Sequence, residues 1–505
     1  MGESSDVPRR SPTEWHGGEI LKGFTGKLVN SVHPVSEAEC AQVHAAAVRV
    51  LAEGGMRCDD PRASRMFEAA GCTLENGGTL VKIPEKAIMK ALAQCPESFT
   101  LYGRNDPTLD CSIGTGEVHF CTVSGRYIED FRTGERRQAT RQDAIEGTLV
   151  AEALENVHGL YKPVMWLYDE PKICNAQILV GEWMKNSNKT ATWVYNTGAE
   201  HEISDLVKIW QIATGGEEAL RKRPHLLGHV VANPPRVIDI NYTSWLIGFC
   251  DAGVPLSVES ALMGGATGPA TLAGMLVQAI AETLALVVQA QSYKPGHPLA
   301  FCSFNPSMDM RTGLWSCGNP EYGIVGAGIS AMAKHYGIPC AGFGMSDSCE
   351  MDQQTAYEKA LKMYTYALSG ISYIWDVGGT AGFNFVSWPE MVLENEIAGF
   401  IGQYLRGIVV DDERLAVDEI LKVGPLPGSY MAERHTRRWY REEFFIPELS
   451  NREFFESWER GHTELQEKAK QKAAEILETA ESPVAPEIRA EIDDFLDFVV
   501  ERDSH

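Results

Sequence analysis

Residues 226–259 read LLGHVVANPPRVIDINYTSWLIGFCDAGVPLSVE. A short apolar run opens this stretch, a helical segment follows it, and a second apolar run closes it, as in a strand, a crossover helix and a parallel strand. The same alternation recurs along the chain, and it predicts eight strands at 118–123, 159–166, 191–195, 226–232, 253–259, 298–303, 338–343 and 371–375. Eight such units favour an α/β fold, a (β/α)8 TIM barrel, over an open doubly wound sheet, although periodicity alone does not separate the two.

The flanking sequence predicts helical additions at both ends of the barrel. Ser36 is placed to cap a helix, and a long charged helix is expected from about Arg452 to Ala480. A hairpin is expected between Val118–Val123 and Tyr127–Phe131, with a second turn at Arg132–Glu135. The predicted organisation is a tail at 1–34, a helical N-terminal region at 35–110, the barrel at 111–400 and a helical C-terminal region at 401–505.

Composition excludes several classes of function. Asp and Glu number 69 against 45 Lys and Arg, a formal charge of −24, which argues against a nucleic-acid-binding surface. The first residues lack the apolar stretch of a secretory signal, and the apolar run from Ala273 to Ala290 carries Gln278 and Glu282, so it is interpreted as a buried helix. Twelve scattered cysteines without a CxxC pair fit free thiols, and a cytoplasmic protein is expected.

In a barrel, binding and catalytic residues lie at the carboxyl ends of the strands and in the loops that follow them. Those ends are rich in aromatic residues and poor in basic ones. A pocket of aromatic faces with one or two carboxylates suits a cationic alkylammonium, because each ring face attracts a cation. The strand-end residues are Phe120, Cys121, Trp166, Tyr168, Tyr195, Asn196, Glu259, Ser303, Phe304, Asn305, Phe343 to Asp347, Trp375, Asp376, Phe383 and Phe385.

Other site chemistries have weaker signals. Two glycine-rich stretches, Gly264–Gly268 and Gly378–Gly382, follow predicted strands, and the second occupies a place where barrels often bind phosphate. Neither has the lysine of a P-loop. His225 and His229 lie four residues apart in a predicted strand without an HExxH context, so both are interpreted as ordinary histidines and no metal site is predicted.

Several segments, in their order along the chain, resemble those of the trimethylamine:corrinoid methyltransferase (MttB) superfamily. The resemblance runs from about residue 35 to 480. The segments are Gly54–Met56, Ala70–Cys72, Lys82–Pro84, Leu101–Asn105, Thr267–Gly274, Pro295–Pro298, Asp309–Gly313, Tyr336–Pro339, Ser346–Asp347 and Asp352–Gln354.

The resemblance implies a (β/α)8 barrel that passes a methyl group from an amine to the Co(I) corrinoid carried by a separate small protein. Members acting on trimethylamine use pyrrolysine, for which Gly344 is the favoured matching position here. This chain has standard residues throughout Phe343–Asp347, so it is similar to the branch that demethylates quaternary amines such as glycine betaine. Members of that branch often carry histidine where Trp375 stands, and an aromatic wall there argues against glycine betaine itself as the substrate.

The predicted substrate-binding set combines this resemblance with the strand ends. We expect the rings of Trp166, Tyr195, Trp375 and Phe383 to grip the ammonium group. Asn196 and the groups around Ser346 would orient the rest of the substrate, and Glu259 or Asp347 would offset its positive charge. The full set is Phe120, Trp166, Tyr195, Asn196, Glu259, Gly344, Ser346, Asp347, Trp375 and Phe383.

No single side chain is assigned as catalytic, because a quaternary nitrogen leaves as a neutral tertiary amine and positioning carries the reaction. No cofactor is expected to bind this chain directly, since the partner protein supplies the corrinoid (cobalamin). The other expected partners are a small quaternary amine and further copies of the chain, without nucleic acid or membrane. Two alternatives stay open: a betaine-binding or sensing protein without methyl transfer, and a barrel lyase or hydrolase acting on a phosphorylated metabolite.

Overall fold

A closed barrel of parallel strands forms the centre of the molecule. The computed structural model describes Phe24, Gly26, Leu28, Asn30 and residues 32–193 and 201–503. Consecutive strands pair in parallel, and the eighth strand pairs with the first. All eight predicted strands are found in order, but the second, predicted at 159–166, ends at Tyr161, and the fifth, predicted from 253, begins at Leu256. Within the described residues, the strands are His119–Thr122, Gly159–Tyr161, Thr190–Trp193, Leu226–Ala232, Leu256–Ser260, Leu299–Ser303, Cys340–Phe343 and Tyr373–Val377.

The barrel strands are buried over their whole length, as strands covered on both faces are. Successive side chains alternate between the barrel interior and the surrounding helices. On the eighth strand, Trp375 donates a hydrogen bond across the interior to Thr192 at 3.1 Å, whereas Asp376 lies 3.2 Å from Lys359 of the outer layer. This alternation decides which strand-end residues share a site.

A long helix follows each strand and covers the outside of the barrel. Over the part of the chain that the structure describes, these helices are Arg141–Ala153, Asn175–Asn186, Glu202–Thr214, Ile240–Ala252, Leu272–Tyr293, Pro320–His335, Gln353–Ser369 and Trp388–Arg406, with a short helix at Glu217–Lys222. Helix Leu272–Tyr293 is apolar and long enough to cross a membrane, but 72% of its most apolar stretch is buried inside the protein. It is therefore a core helix, as predicted.

The N-terminal region contains helices and a small sheet. Its helices are Glu37–Arg49, Pro61–Ala69 and Glu85–Leu92, and Ser36 caps the first in a capping box with Glu39. The prediction of a purely helical region missed its strands, because three-residue strands are too short to show a periodicity. These strands are Met56–Cys58, Thr73–Glu75 and Leu80–Lys82, in one sheet with Val237–Ile238, and the pair Phe99–Leu101 and Cys111–Ile113. Most of the predicted tail at 1–34 lies outside the described residues.

The predicted hairpin was wrong in its partner. Tyr127–Asp130 pairs with Glu135–Gln138, not with the run at 118–123. Gly134, at φ 74°, completes the turn in the left-handed region that favours glycine. The run at 118–123 instead enters the barrel, where both of its faces are buried.

The C-terminal region extends the helical layer. The predicted single helix at 452–480 was wrong, because the chain leaves the helix at Gly461 and re-enters it at Leu465. Glycine is a poor helix former, so ending the helix at Gly461 costs little free energy. The helices of this region are Val417–Val423, Arg434–Glu443, Phe455–Arg460, Leu465–Thr479 and Pro486–Asp503.

Candidate active site

Aromatic rings meet around Phe343 at the carboxyl end of the barrel. Phe343 is the last residue of the seventh strand, and its ring stacks on Trp375 of the eighth strand at 4.5 Å and 23°. The other rings meet it edge-on, which is a favourable arrangement of ring quadrupoles. Their centroids lie at 5.5 Å for His229, 5.8 Å for Tyr161, 5.8 Å for Phe383 and 5.9 Å for Phe304.

The ring arrangement continues from Phe343 toward solvent. Phe304 contacts Trp315 at 5.4 Å and Phe383 at 5.5 Å between centroids. Trp315 is 40% exposed, whereas Trp375 is fully buried. We call Tyr161, Phe304, Trp315, Phe343, Trp375 and Phe383 the aromatic cluster. It leads from the exposed ring of Trp315 into the barrel interior at Trp375.

The backbone holds Phe383 in this cluster against its own preference. Phe383 has φ 65°, a left-handed conformation that costs a non-glycine residue about 1–2 kcal/mol. Hydrogen bonds to neighbouring loops offset that cost: the N–H of Gly382 donates to the Ser346 carbonyl at 3.0 Å, and the N–H of Ala381 donates to the Ser348 carbonyl at 2.9 Å. The loops after the seventh and eighth strands are thus joined beside the cluster.

A polar group lies against the inner side of the aromatic cluster. Nδ1 of His229 is 2.6 Å from Oγ of Ser257, and Nε2 of His229 is 3.0 Å from Oε1 of Glu259. The ligand atoms of His229, Glu259 and Cys302 all lie within 4.8 Å of one another. These side chains come from three consecutive strands and are buried. An acidic group and a set of ring faces are therefore combined in one place.

Asp347 fixes the part of the chain that carries Trp315. Its carboxylate accepts hydrogen bonds from the hydroxyl of Ser316 and from the N–H of Cys317, the latter at 2.8 Å. Ser346 donates to Glu358 at 2.7 Å, and the N–H of Asp347 donates to the same carboxylate oxygen at 2.9 Å. These contacts make the loop after the seventh strand a support for the site.

A buried ionic group lies behind the eighth strand. Nζ of Lys359 is 2.7 Å from Glu394 and 3.2 Å from Asp376, and Glu394 also accepts the N–H of Gly378. Burial alone would lower the pKa of Lys359, but Glu394, Asp376 and Glu390 outweigh it and the pKa is raised. Burial raises the pKa of Glu394 well above its ordinary value, against the effect of Lys359. This group ties the glycine-rich loop to the helix layer.

Lys162 follows the second strand and is fully buried. Its Nζ lies 5.6 Å from the ring centroid of Tyr161 and 5.2 Å from that of Trp193. Burial lowers the pKa of Lys162 to about 7, although Glu202 acts in the opposite direction. A lysine whose charge changes near pH 7 thus lies next to a member of the aromatic cluster.

Comparison with known proteins identifies the family of this chain. The model of the family described as trimethylamine methyltransferase (MTTB) matches residues 10–503. The chain belongs to the MttB family. It is 29% identical over 475 residues to the glycine betaine methyltransferase of Desulfitobacterium hafniense strain Y51, covering 93% of this chain and 98% of the relative. It is also 30% identical over 462 residues to the trimethylamine methyltransferase MttB of D. hafniense strain DCB-2, covering 90% of each.

A solved structure with similar coverage is the Methanosarcina barkeri monomethylamine methyltransferase (MtmB). It shares 12% identity, covers 92% of this chain and 97% of its own, and has a TM-score of 0.48. The family assignment rests on the sequence matches instead. The MttB family is a family of methyltransferases, and the barrel is seen in the structure of this chain itself.

The structure brings three of the predicted site residues together in this MttB-family barrel. Trp375 and Phe383 contact the ring of Phe343, and Glu259 bonds to His229 beside it. Ser346 and Asp347 lie in the supporting loop described above.

Gly344 faces away from the interior, because a Cβ built on it would lie 2.0 Å from Oδ2 of Asp376. Phe343, not Gly344, is the residue at this strand end whose side chain faces the barrel interior.

Of the other four predicted residues, Phe120 lies outside the barrel, Trp166 follows the second strand, and two are not among the described residues. Phe120 packs against Phe24 at 5.8 Å, in the layer outside the barrel. Trp166 is half-buried in the segment after the second strand, where the neighbouring Met165 N–H donates to the Gly125 carbonyl at 2.9 Å. Tyr195 and Asn196 lie outside the residues that the structure describes.

The glycine-rich loop at 378–382 is already engaged with protein acceptors. The N–H of Gly378 donates to the Glu394 carboxyl group, and those of Ala381 and Gly382 donate to carbonyls of the neighbouring loop. A phosphate would compete for the same N–H groups and would meet a buried acidic side chain. The geometry therefore does not favour phosphate binding there.

Sequence reasoning missed Tyr161, Trp315, Phe343 and His229 as site residues. Phe304 and Phe343 are at strand ends, so their positions were available, but the inward-facing residue of each strand could not be chosen. The sequence analysis considered His229 only together with His225, four residues before it. In the structure, Nδ1 of His225 lies 2.8 Å from the Tyr102 carbonyl, whereas His229 contacts Glu259. The signal that could have found it is register: His229 pairs with Ser257, two residues before Glu259.

Proposed function

We propose that this chain is a quaternary amine:corrinoid protein methyltransferase, which moves a methyl group from a betaine-like amine to the Co(I) corrinoid of a partner protein. The observation that carries the proposal is the aromatic cluster with Glu259 at the carboxyl end of an MttB-family barrel. The similarity to a glycine betaine methyltransferase supports the quaternary class of substrate.

The aromatic cluster binds the ammonium group. Each ring face attracts a cation by about 0.5–2 kcal/mol, the higher value applying where water is excluded. Phe343, Phe304 and Phe383 have no hydrogen-bonding group that could hold an anion or solvate a proton. Glu259, which is buried and lies 3.0 Å from His229 beside the ring of Phe343, adds an acidic side chain next to these rings.

Positioning supplies the catalysis. A quaternary nitrogen leaves as a neutral tertiary amine, so the site needs no general acid. The corrinoid of the partner supplies the nucleophile. The aromatic cluster holds nitrogen and methyl carbon in line with it, an effect that contributes about 7–11 kcal/mol when the geometry is held. Since positive charge on nitrogen declines toward the transition state, orientation matters more than tight binding of the cation.

The proposed partners follow from this reaction. A corrinoid protein reaches the methyl group at the open end of the cluster, where Trp315 is exposed. The reduced cobalt chemistry and the free cysteines support a cytoplasmic location.

A second copy of the chain is also a proposed partner. Between residues 408 and 465 many large apolar side chains are exposed, and Trp439 and Leu449 are the buried apolar ones. A segment with so little core of its own needs a permanent cover, and copies of the same chain are always available to provide it. The exposed side chains include Ile408, Leu421, Leu426, Met431, Phe444, Phe454 and Phe455.

The proposal is tested by adding Co(I) cobalamin and a panel of quaternary amines to the folded protein under anaerobic conditions. We expect the spectrum of methylcobalamin to appear, together with the demethylated tertiary amine, with at least one member of the panel. Ligand-dependent thermal stabilisation without methyl transfer would instead indicate a betaine-binding protein. Protection of 378–382 from hydrogen exchange by phosphate would indicate the lyase or hydrolase.

A further inference from the structure

We propose that His229, Glu259 and Cys302 form a zinc site at the inner end of the aromatic cluster, with one coordination position left for the substrate. The three side chains lie on the fourth, fifth and sixth strands, and their ligand atoms lie within 4.8 Å of one another. In a tetrahedral zinc site the ligand atoms are about 3.3–3.6 Å apart. Small side-chain rotations would therefore bring all three onto one ion.

Hydrogen bonding orients the ring of His229. Nδ1 of His229 lies 2.6 Å from the hydroxyl of Ser257, which also donates to the Gly228 carbonyl at 3.3 Å. Nε2 of His229 faces Oε1 of Glu259, 3.0 Å away, so both atoms point at the place that the ion would take. Ser257 acts as the outer partner that metal-binding histidines usually have.

One carboxylate oxygen of Glu259 is available to bind a metal ion. Its side chain is 3% exposed, and Oε2 has no hydrogen-bond partner among the described residues. A buried carboxylate oxygen without a partner is costly, and a metal ion removes that cost. The strand register that pairs Val258 with Phe301 places Glu259 beside Cys302.

The donor set selects the metal. Imidazole nitrogen, thiolate sulfur and carboxylate oxygen are the ligands of zinc, whereas magnesium and calcium prefer oxygen alone. Three protein ligands are typical of catalytic zinc, which keeps its fourth position open. The carboxylate and the thiolate together cancel the charge of the ion, so the site does not repel a quaternary ammonium group held by the rings.

The open position faces the substrate. All three ligands come from one side of the barrel, so the free side of the ion is directed across it, toward Phe343 and Trp375, whose rings lie 5.5 and 6.1 Å from that of His229. An anionic oxygen bound there would belong to a molecule whose ammonium group contacts the rings. Resting on the proposed function, the open position would bind the carboxylate of the betaine-like substrate.

Metal content tests the site directly. We expect the purified full-length chain to contain about one zinc per chain by mass spectrometry. Substitution with Co²⁺ should give a thiolate-to-cobalt charge-transfer band, which Cys302→Ser removes. Cys340→Ser is the matched control. Cys340 is also buried, on the next strand, but its thiol faces Ser330 of the helix layer instead of the proposed site. Ser257→Ala should weaken zinc binding by about 10–100-fold.

The outcomes separate this inference from the proposed function. A folded chain that holds no metal and shows no cobalt band overturns the zinc site, even if it transfers methyl groups from a betaine. A stoichiometric metal in a chain without methyl transfer supports the site and contradicts the proposed function. For the open position, at least one member of a panel of carboxylate-bearing quaternary amines should shift the visible bands of the Co²⁺ protein, and tetramethylammonium should not. Bands that no member of the panel shifts, or that tetramethylammonium shifts equally, overturn the carboxylate-binding role.

Discussion

Replacing Phe343 by leucine removes the central ring face of the aromatic cluster and keeps most of its volume. The ring contacts five other rings, at 4.5–5.9 Å between centroids. We expect Phe343→Leu to weaken binding of a quaternary amine by about 5–30-fold, which corresponds to the loss of about 1–2 kcal/mol of cation–π attraction. The change of shape alone should lower the free energy of unfolding by about 1–2 kcal/mol.

Two ligands of equal shape separate charge from packing. Glycine betaine has a positive nitrogen, and 3,3-dimethylbutyrate has a neutral carbon in the same place. In titration calorimetry without cobalamin, Phe343→Leu should weaken the binding of glycine betaine by about 5–30-fold. It should weaken the binding of the neutral analogue by less than about threefold. Phe301→Leu is the matched control, because Phe301 is buried on the neighbouring strand but faces Tyr336 outside the barrel. An equal loss for both ligands would refute the cation–π reasoning.

Further consequences concern support, pH and assembly. Asp347→Asn should loosen the segment that carries Trp315, lower the free energy of unfolding by about 1–3 kcal/mol in urea and raise the KM; an unchanged KM would contradict the support role. The pKa of Lys162 is about 7 in the folded chain and near 10.5 when unfolded, so the unfolded chain binds the extra proton between these values and stability should rise with pH across this window. Lys162→Met should reduce the difference in the free energy of unfolding between pH 6.5 and pH 9.5, measured in urea. An unchanged difference would be evidence against the lowered pKa of Lys162. The double variant Leu426→Asp and Met431→Asp should dissociate the oligomer in light scattering, and a monomeric parent chain would contradict that interface.

The barrel was predictable because its strands are buried on both faces. Such strands appear as continuous apolar runs, and the crossover helices space them regularly. The hairpin at Tyr127–Asp130 was assigned to the wrong neighbour, because both flanking runs have strand composition and only Gly134 marks the true turn. The helix break at Gly461 likewise depends on one residue. Local sequence thus located the strands but not all of their partners.

The candidate site was predictable in place but not in detail. Strand ends identified the region, yet a shift of one residue moves a side chain from the interior to the helix layer. Phe120 and Gly344 face outward for this reason, whereas Phe343 faces inward. The bonds that engage Asp347 come from residues about 30 positions away. Such contacts depend on tertiary packing, which spacing along the chain does not reveal.

The central claim is that this barrel holds a quaternary ammonium group so that a reduced cobalt removes one methyl group. The most direct measurement is a single turnover with Co(I) cobalamin and glycine betaine or a related betaine in which the N-methyl groups are deuterated. The account predicts methylcobalamin heavier by three mass units and none from the corresponding tertiary amine, such as deuterated dimethylglycine. Transfer from the tertiary amine at an equal rate, or no labelled methylcobalamin with any betaine, would contradict it.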